Sequence, residues 1–173
     1  MTDATGRIIE GPRPWRAGDV VPAPLDLYQG EVLADWVDYN AHMTEAAYLT
    51  AFGWASDALF TYIGDDDAHR AAGHSFYTVE THIDYRREAK QGHVLRITTQ
   101  VLGVAVKRLH LFHAMHRDTD ATLLATTEQM LVHVDTVAGR SVPMLPTVRA
   151  ALDAVVVSHR SLARDVAGCM HLE

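Results

Sequence analysis

The segment Asp38-Tyr39-Asn40-Ala41-His42-Met43-Thr44-Glu45 places a carboxylate, an amide and an imidazole directly ahead of a long helical pattern. A helix N-terminus presents unpaired backbone N–H groups and a partial positive charge. It can polarise a carbonyl, or hold the oxyanion that forms when that carbonyl is attacked. A carboxylate beside it can activate water as a general base or attack directly. Asp38 is placed for that work if the chain turns between it and the helix, with Thr44 and Glu45 at the helix start. The plainer reading of the same spacing makes Asp38 or Asn40 a helix cap or an Asx-turn residue.

Other reactive side chains make weaker sets. His110, His113 and His116 stand out among 11 histidines. On a strand His113 faces opposite to the other two, and His110 and His116 lie about 20 Å apart at about 3.3 Å per residue. One tetrahedral metal site is excluded by that spacing, and no metal is expected. Ser56 or Ser75 with a histidine lacks a G-x-S-x-G elbow. Cys169 is the only cysteine. It cannot form an internal disulfide, and a reducing cytoplasm is the expected compartment.

The elements that must position Asp38 follow from periodicity. Residues 1–24 carry Gly6, Gly11, Pro12, Pro14, Gly18, Pro22 and Pro24 and read as an arm laid over a neighbouring surface or left mobile. A short strand is expected at 25–34. From 44 to 63, Tyr48, Phe52, Ala55, Leu59 and Ile63 recur on one helical face, while Ala46, Ala47, Leu49, Ala51, Trp54 and Ala58 fill the others. Such a helix should be buried nearly all round. Gly64 and the run Asp65-Asp66-Asp67 stop it. Strand-like runs follow at 76–87, 93–101, 107–117 and 123–135, with a hairpin at Asp118-Thr119-Asp120. Pro143 and Pro146 close the sheet, and 147–157 reads as a last helix.

One helix and five antiparallel strands make an α+β fold with the helix packed on the sheet. The domain spans 25–145, with a C-terminal helix and tail at 146–173. The far face and edges of the sheet remain to be covered, and a homo-oligomer covers them most simply.

The chain has 173 residues, 48% of them hydrophobic and 21% charged, enough to bury a core as one domain. Its net charge of -7 argues against nucleic acid as a partner. One or two local cations still suffice for an anionic small ligand. Neither a membrane span nor a secretory leader is expected.

The stretch V-D-Y-N-A-H-M-T-E-A-A-Y-L resembles the D-x-x-G-H-x-N-N-x-x-Y-L signature of the 4-hydroxybenzoyl-CoA thioesterase-like branch of the hotdog superfamily. The resemblance implies a hotdog fold, a long central helix wrapped by a five- or six-stranded antiparallel sheet. It also implies a catalytic acid at Asp38, with Asn40 beside it, His42 as the motif histidine and Tyr48-Leu49 as the Y-L pair. Ala41 stands where the family has Gly, and Thr44-Glu45 where it often has Asn-Asn. The stretches WVDYNAHMTEAAYL, GHSFYTVETHIDY, TTQVLG, KRLHLFHAMHR and ATTEQMLVHVDTVAGR are also similar to the thioesterases of carnitine breakdown. Those enzymes hydrolyse betainyl-CoA and can occur fused to carnitine dehydrogenase. No G-x-G-x-x-G follows a strand here, so no dehydrogenase is expected.

That likeness implies an acyl-CoA substrate, no separate cofactor, and a homodimer or dimer of dimers that shares its site across the interface. A quaternary ammonium acyl group calls for aromatic faces. Trp36, Tyr39, Trp54, Phe76 and Tyr77 are the candidates, with Glu45 or Glu80 adding a carboxylate. Arg86, Arg87, Lys90, Lys107 and Arg108 are candidates for the coenzyme A phosphates. The rival readings are a hotdog enoyl-CoA hydratase and a non-catalytic acyl-CoA-binding module. The hydratase motif G-D-x-N-P-x-H sets its histidine five residues after the aspartate, whereas His42 is four after Asp38.

Overall fold

A computed structural model of the chain describes residue 7 and residues 11–163. Strand β1 (Leu25–Glu31) precedes a single 3-10 turn at Ala34–Trp36 and the long helix α1 (Glu45–Ile63). A short helix α2 (Asp67–Ala71) leads into β2 (His74–Tyr85), β3 (Val94–Val104), β4 (Arg108–Arg117) and β5 (Thr122–Asp135). A two-residue strand β6 (Arg140–Ser141) and helix α3 (Pro146–His159) follow. All pairings are antiparallel, in the order β1-β3-β4-β5-β2, with β6 on the end of β5. The sheet holds α1 on its inner face, which is the expected hotdog arrangement.

Two apolar clusters divide α1 along its length. Near its start, Met43, Tyr48 and Phe52 pack with Tyr28, Leu95, Ile97 and Met115. Near its end, Leu59 and Ile63 pack with Leu109, Leu111 and Leu131, closed by Val148, Leu152 and Val155 of α3. Residues 11–24 lie as an arm over this second cluster, where the Trp15 N–H donates to Tyr62 O at 2.7 Å and Ser158 Oγ donates to Val21 O at 2.8 Å. Cys169 lies outside the described residues.

Three expectations need correction. Helix α1 is not covered all round: Ala46, Leu49, Thr50 and Asp57 are exposed, because the sheet wraps one side only. The Asp65-Asp66-Asp67 run does more than stop α1. Gly64 closes that helix in the left-handed region at φ 86°, and Asp66 then caps α2 by accepting the His69 N–H at 3.0 Å. Strand β1 ends at Glu31, since residues 34–36 turn toward α1.

That turn is continued by residues 37–43, which position the candidate site. Asp38 N–H donates to His42 O and Ala41 N–H to Asp38 O, both at 2.9 Å. Isolated bridges tie Val37 to Met43 and His42 to Lys90. Ala41 occupies the left-handed region at φ 59°. Its Cβ makes that conformation unfavourable by about 1 kcal/mol, which explains why a glycine suits the position.

The sheet register sends His113 inward, opposite in sense to His110 and His116. Inside, His113 Nε2 meets Ser56 Oγ at 3.1 Å and Nδ1 meets Thr99 Oγ1 at 2.9 Å, while Ser56 Oγ donates to Gln129 Oε1 at 3.0 Å. A neutral ring protonated on Nε2 satisfies every partner: it donates to Ser56 and accepts from Thr99. Thus Ser56 does find a histidine, but a threonine stands where a triad needs a carboxylate. Both residues are also sealed from substrate.

Two expectations about stability follow. Ala41→Gly should raise the thermal midpoint, by a stabilisation of about 0.5–1 kcal/mol; a lower midpoint would show that the turn is not held left-handed. Burial drives the His113 ring down to about 4 from 6.5, against the opposing hydrogen bond to Gln129. Between these values the unfolded chain holds the extra proton. Stability from this group is therefore complete above about pH 6.5 and is lost as pH falls toward 4. Burial pushes Asp65 up to about 6, which works in the opposite direction, so the wild type alone does not isolate His113. Between pH 7 and 4.5, His113→Gln should lose about 2–3 kcal/mol less stability than wild type in denaturant titrations. Parallel losses would remove His113 as the proton-linked group.

Candidate active site

Thr44 begins α1 as its N-cap, accepting the Ala47 N–H on Oγ1 at 3.3 Å while its own N–H donates to Trp36 O at 2.9 Å. The cap is thus Thr44, and neither Asp38 nor Asn40 takes that place. Asp38 instead forms the Asx turn. Its Oδ1 accepts the Asn40 N–H at 2.8 Å and the His42 N–H at 3.2 Å, and its Oδ2 accepts the Asn40 Nδ2 at 3.4 Å. Partial burial works to raise this carboxyl. The Asn40 and His42 donors, with the Asn40 side chain, outweigh it and hold Asp38 below the ordinary carboxylate value. Asp38 is therefore a half-buried, ionised carboxylate at neutral pH, at the mouth of α1.

The amides of Glu45 and Ala46 open the helix, where no preceding turn offers them a carbonyl. They take no part in the hydrogen bonds that hold the 37–44 segment. Asp38 and these donors give the site both halves of an acyl-transfer apparatus, a base or nucleophile and an electrophilic pole. His42 Nε2 lies 3.7 Å from Glu88 Oε1, which links the turn to the β2–β3 connection.

That connection forms the other wall. Met43 N–H donates to Ala89 O at 2.8 Å. The Tyr48 hydroxyl donates to Arg87 O at 3.1 Å and accepts the Ala89 N–H at 2.8 Å. Between the walls lies an open recess of about 470 Å³, lined by Met43, Glu45, Tyr48, Tyr85, Arg86, Arg87 and Glu88. Tyr48 and Tyr85 meet edge to face at 5.3 Å, and the Tyr85 hydroxyl reaches Glu45 O at 3.4 Å.

The structure therefore joins Asp38, Asn40 and His42 in one turn and sets Glu45, Arg86 and Arg87 around the recess, with Thr44 capping the helix between them and His42 facing Glu88 across the gap. Tyr39 is at the turn tip, 96% exposed, and Lys90 is exposed beside His42. Trp36 and Trp54 pack against the first apolar cluster; Trp54 sits ten residues, or about 15 Å, along α1 from the cap. Phe76 stacks on Phe60 at 5.4 Å near the other end of α1. Tyr77 and Glu80 lie exposed on β2. Lys107 donates from Nζ to Ser141 O at 3.0 Å, and Arg108 pairs in register with Val132, both far from the turn. Within one chain these last five residues do not reach Asp38.

Sequence reading missed Tyr85 and Glu88 as lining residues and saw Tyr48 only as a motif letter. Tyr48 had a usable signal, since it lies one turn beyond Thr44 and must face the same end of the helix. A second recess of about 320 Å³ lies on the outer sheet face, around Asp26, Arg96, Thr98, His116 and Arg117. Its two arginines are already held, Arg96 by Asp26 and Arg117 by Asp120.

Known proteins share this fold. Residues 32–152 match the family model of the thioesterase-like superfamily. A betainyl-CoA thioesterase of Pseudomonas aeruginosa PAO1 is 42% identical over 80% of this chain and 87% of its own length. An L-carnitine dehydrogenase/betainyl-CoA thioesterase of Rhizobium meliloti is 49% identical over 84% of this chain, which spans only 29% of that longer protein. Among solved structures, a candidate thioesterase from Pseudomonas putida KT2440 superposes with a TM-score of 0.74 at 35% identity, covering 88% of this chain and 97% of that one. A Staphylococcus aureus protein solved with coenzyme A shares the fold, with a TM-score of 0.72 at 21% identity, covering 84% and 93%. With residues 32–152 matched to its family model and the hotdog sheet shared with these structures, the chain belongs to the thioesterase-like superfamily.

Proposed function

We propose that the chain hydrolyses a small acyl-CoA thioester, and that betainyl-CoA is its substrate, giving betaine and coenzyme A in carnitine breakdown. The observation that carries the reading is the Asp38 carboxylate, ionised and fixed by its own turn in the segment that leads into the open amides of α1. The identity to a betainyl-CoA thioesterase along most of that protein's length supports the acyl group.

In this reading the thioester carbonyl oxygen accepts from the Glu45 and Ala46 amides, whose dipole favours the developing oxyanion. Asp38 either takes a proton from an attacking water or attacks the carbonyl carbon itself. Its ionised state at neutral pH serves either role. The sulfur leaves as the thiolate of coenzyme A. Arg86 and Arg87 stand beside the recess with exposed side chains suited to the phosphates of the leaving group.

A homodimer formed through β2 completes the site. This twelve-residue strand is an edge of the sheet and exposes Tyr77, Val79 and Tyr85. A long unpaired edge is a template for a second strand. Antiparallel pairing along its full length about a two-fold axis would set the partner's His74 across from Tyr85. The partner's exposed Tyr77 would then approach the Asp38 end, which it does not reach within one chain. No helix among the described residues is long and apolar enough to cross a membrane. Acyl-CoA as substrate and a single cysteine fit a cytoplasmic enzyme.

Thiol release from a panel of betainyl-CoA, acetyl-CoA, 4-hydroxybenzoyl-CoA and a medium-chain acyl-CoA tests the reading. Betainyl-CoA should be the preferred substrate. Asp38→Asn should fold, because the amide oxygen still accepts the turn's N–H groups, and should lose about 10²–10⁴-fold in kcat. In wild type the acid limb of kcat/KM should lie below the ordinary carboxylate value, with activity lost as Asp38 gains its proton. Near wild-type turnover by a folded Asp38→Asn would remove Asp38 from the chemistry. Binding of acyl-CoA without thiol release would favour the binding module, and hydration of an enoyl-CoA the hydratase.

A further inference from the structure

The recess at the start of α1 carries acidic and aromatic groups in Glu45, Glu88, Tyr48 and Tyr85. Glu45 is the first residue of α1 and is exposed; Glu88 is 62% exposed and faces His42. Tyr85 lies across the first helical turn with 47% of its surface open, and its ring is set against the ring of Tyr48. The Tyr48 hydroxyl is held on both sides by backbone, so its ring cannot swing away.

The charges around the recess divide unequally. Asp84 holds Arg86 at 2.8 Å, which leaves Arg87 as the cation without a carboxylate partner in the lining. Glu88 is shared with His42 at the long distance of 3.7 Å, and the Glu45 carboxylate has no basic partner within 4 Å among the described residues. Two carboxylates and two rings thus face a space in which one group of opposite charge is missing. Hydrogen-bonding cations would be served by carboxylates alone. The aromatic faces beside them suit a cation that carries methyl groups and has no proton to donate.

Distance makes the placement specific. In a betainyl thioester the quaternary nitrogen is two bonds from the carbonyl carbon, roughly 2.5 Å away on standard bond lengths. A carbonyl oxygen held by the Glu45 and Ala46 amides therefore keeps the trimethylammonium group beside the first turn of α1. Glu45 and Tyr85 are the side chains there, with Tyr48 and Glu88 behind them.

We propose that Glu45, Glu88, Tyr85 and Tyr48 form the specificity pocket for the cationic end of the acyl group, and that the pocket takes a quaternary ammonium. The assignment rests on the thioesterase reading above and adds which residues select the substrate. It replaces Trp36, Tyr39 and Trp54 as the aromatic contacts within the chain, and Glu80 as the carboxylate.

The test compares kcat/KM for betainyl-CoA with that for 3,3-dimethylbutanoyl-CoA, which has the same shape and no charge. The ratio of the two is read in wild type, Glu45→Gln, Glu88→Gln, the double variant, Tyr85→Leu and Tyr85→Phe, each checked for folding by thermal unfolding. The double variant should lower the ratio by about ten-fold or more, mainly through KM for betainyl-CoA. Tyr85→Leu should lower it and Tyr85→Phe should restore it, since a phenyl face still attracts a cation. Tetramethylammonium chloride should inhibit wild type competitively, and the double variant about ten-fold less well than wild type, with potassium chloride as the ionic-strength control. A wild-type preference for betainyl-CoA that survives in folded double variant and Tyr85→Leu would overturn the pocket and leave the function standing. Wild type that hydrolyses neither thioester would overturn the functional reading and the pocket with it.

Discussion

The whole site depends on burying one side of α1 against the concave face of the sheet. Tyr48, Phe52, Leu59 and Ile63 fix the helix against β1, β3 and β4 and leave it no freedom to slide. Burying each such side chain stabilises the fold by about 1.5–3 kcal/mol. Because the sheet curls around the helix from one side, the N-terminus of α1 must emerge beside the β2–β3 connection. The Tyr48 hydroxyl then locks that connection to the helix through two backbone groups. A helix end that would otherwise be a loose set of amides is thereby given a rigid wall.

Asp38 shows how one side chain can serve structure and chemistry together. Its carboxylate organises the turn by accepting two backbone N–H groups, and the same bonds keep it ionised. A carboxylate desolvated in an apolar pocket would be a stronger base, but it would also be protonated part of the time. The turn trades basicity for constant charge and fixed position. The plain reading of Asp38 as a turn residue and the chemical reading do not compete, since the turn is what aims the carboxylate.

Much of this was legible in the sequence because it is local. The period of Tyr48, Phe52, Ala55, Leu59 and Ile63 locates α1, and alternation locates the strands to within a few residues. The Asp38–Glu45 segment is contiguous, so its residues stay together whatever the rest of the chain does. The misses are of two kinds. Helix α2 was read as a terminator because an aspartate run looks the same whether it ends one helix or caps the next; the His69 N–H decides it. Tyr85 and Glu88 were missed because only the pairing of β2 with β5 and the bridge from His42 to Lys90 carry them to the helix mouth. Phe76 and Tyr77 sit in the same strand as Tyr85, yet nine and eight residues of extended chain separate them from it, roughly 26–30 Å. Within one chain that distance keeps them from the helix mouth.

The proposed substrate carries opposite charges at its two ends, phosphates on the coenzyme and a cation on the acyl group. A protein with a net charge of -7 cannot sort them by its overall field. It needs a local separation, and the β2–β3 connection supplies one in four consecutive residues. Tyr85 and Glu88 bracket Arg86 and Arg87, so a basic pair stands between an aromatic and an acidic group along one short segment. Asp84 restrains Arg86, and His42 draws on Glu88. Arg86 and Glu88 are thus engaged by neighbours, while Glu45 and Arg87 remain open to a ligand. The carbonyl itself is left to respond to the groups aimed at it, the amides of α1 on one side and the Asp38 carboxylate on the other.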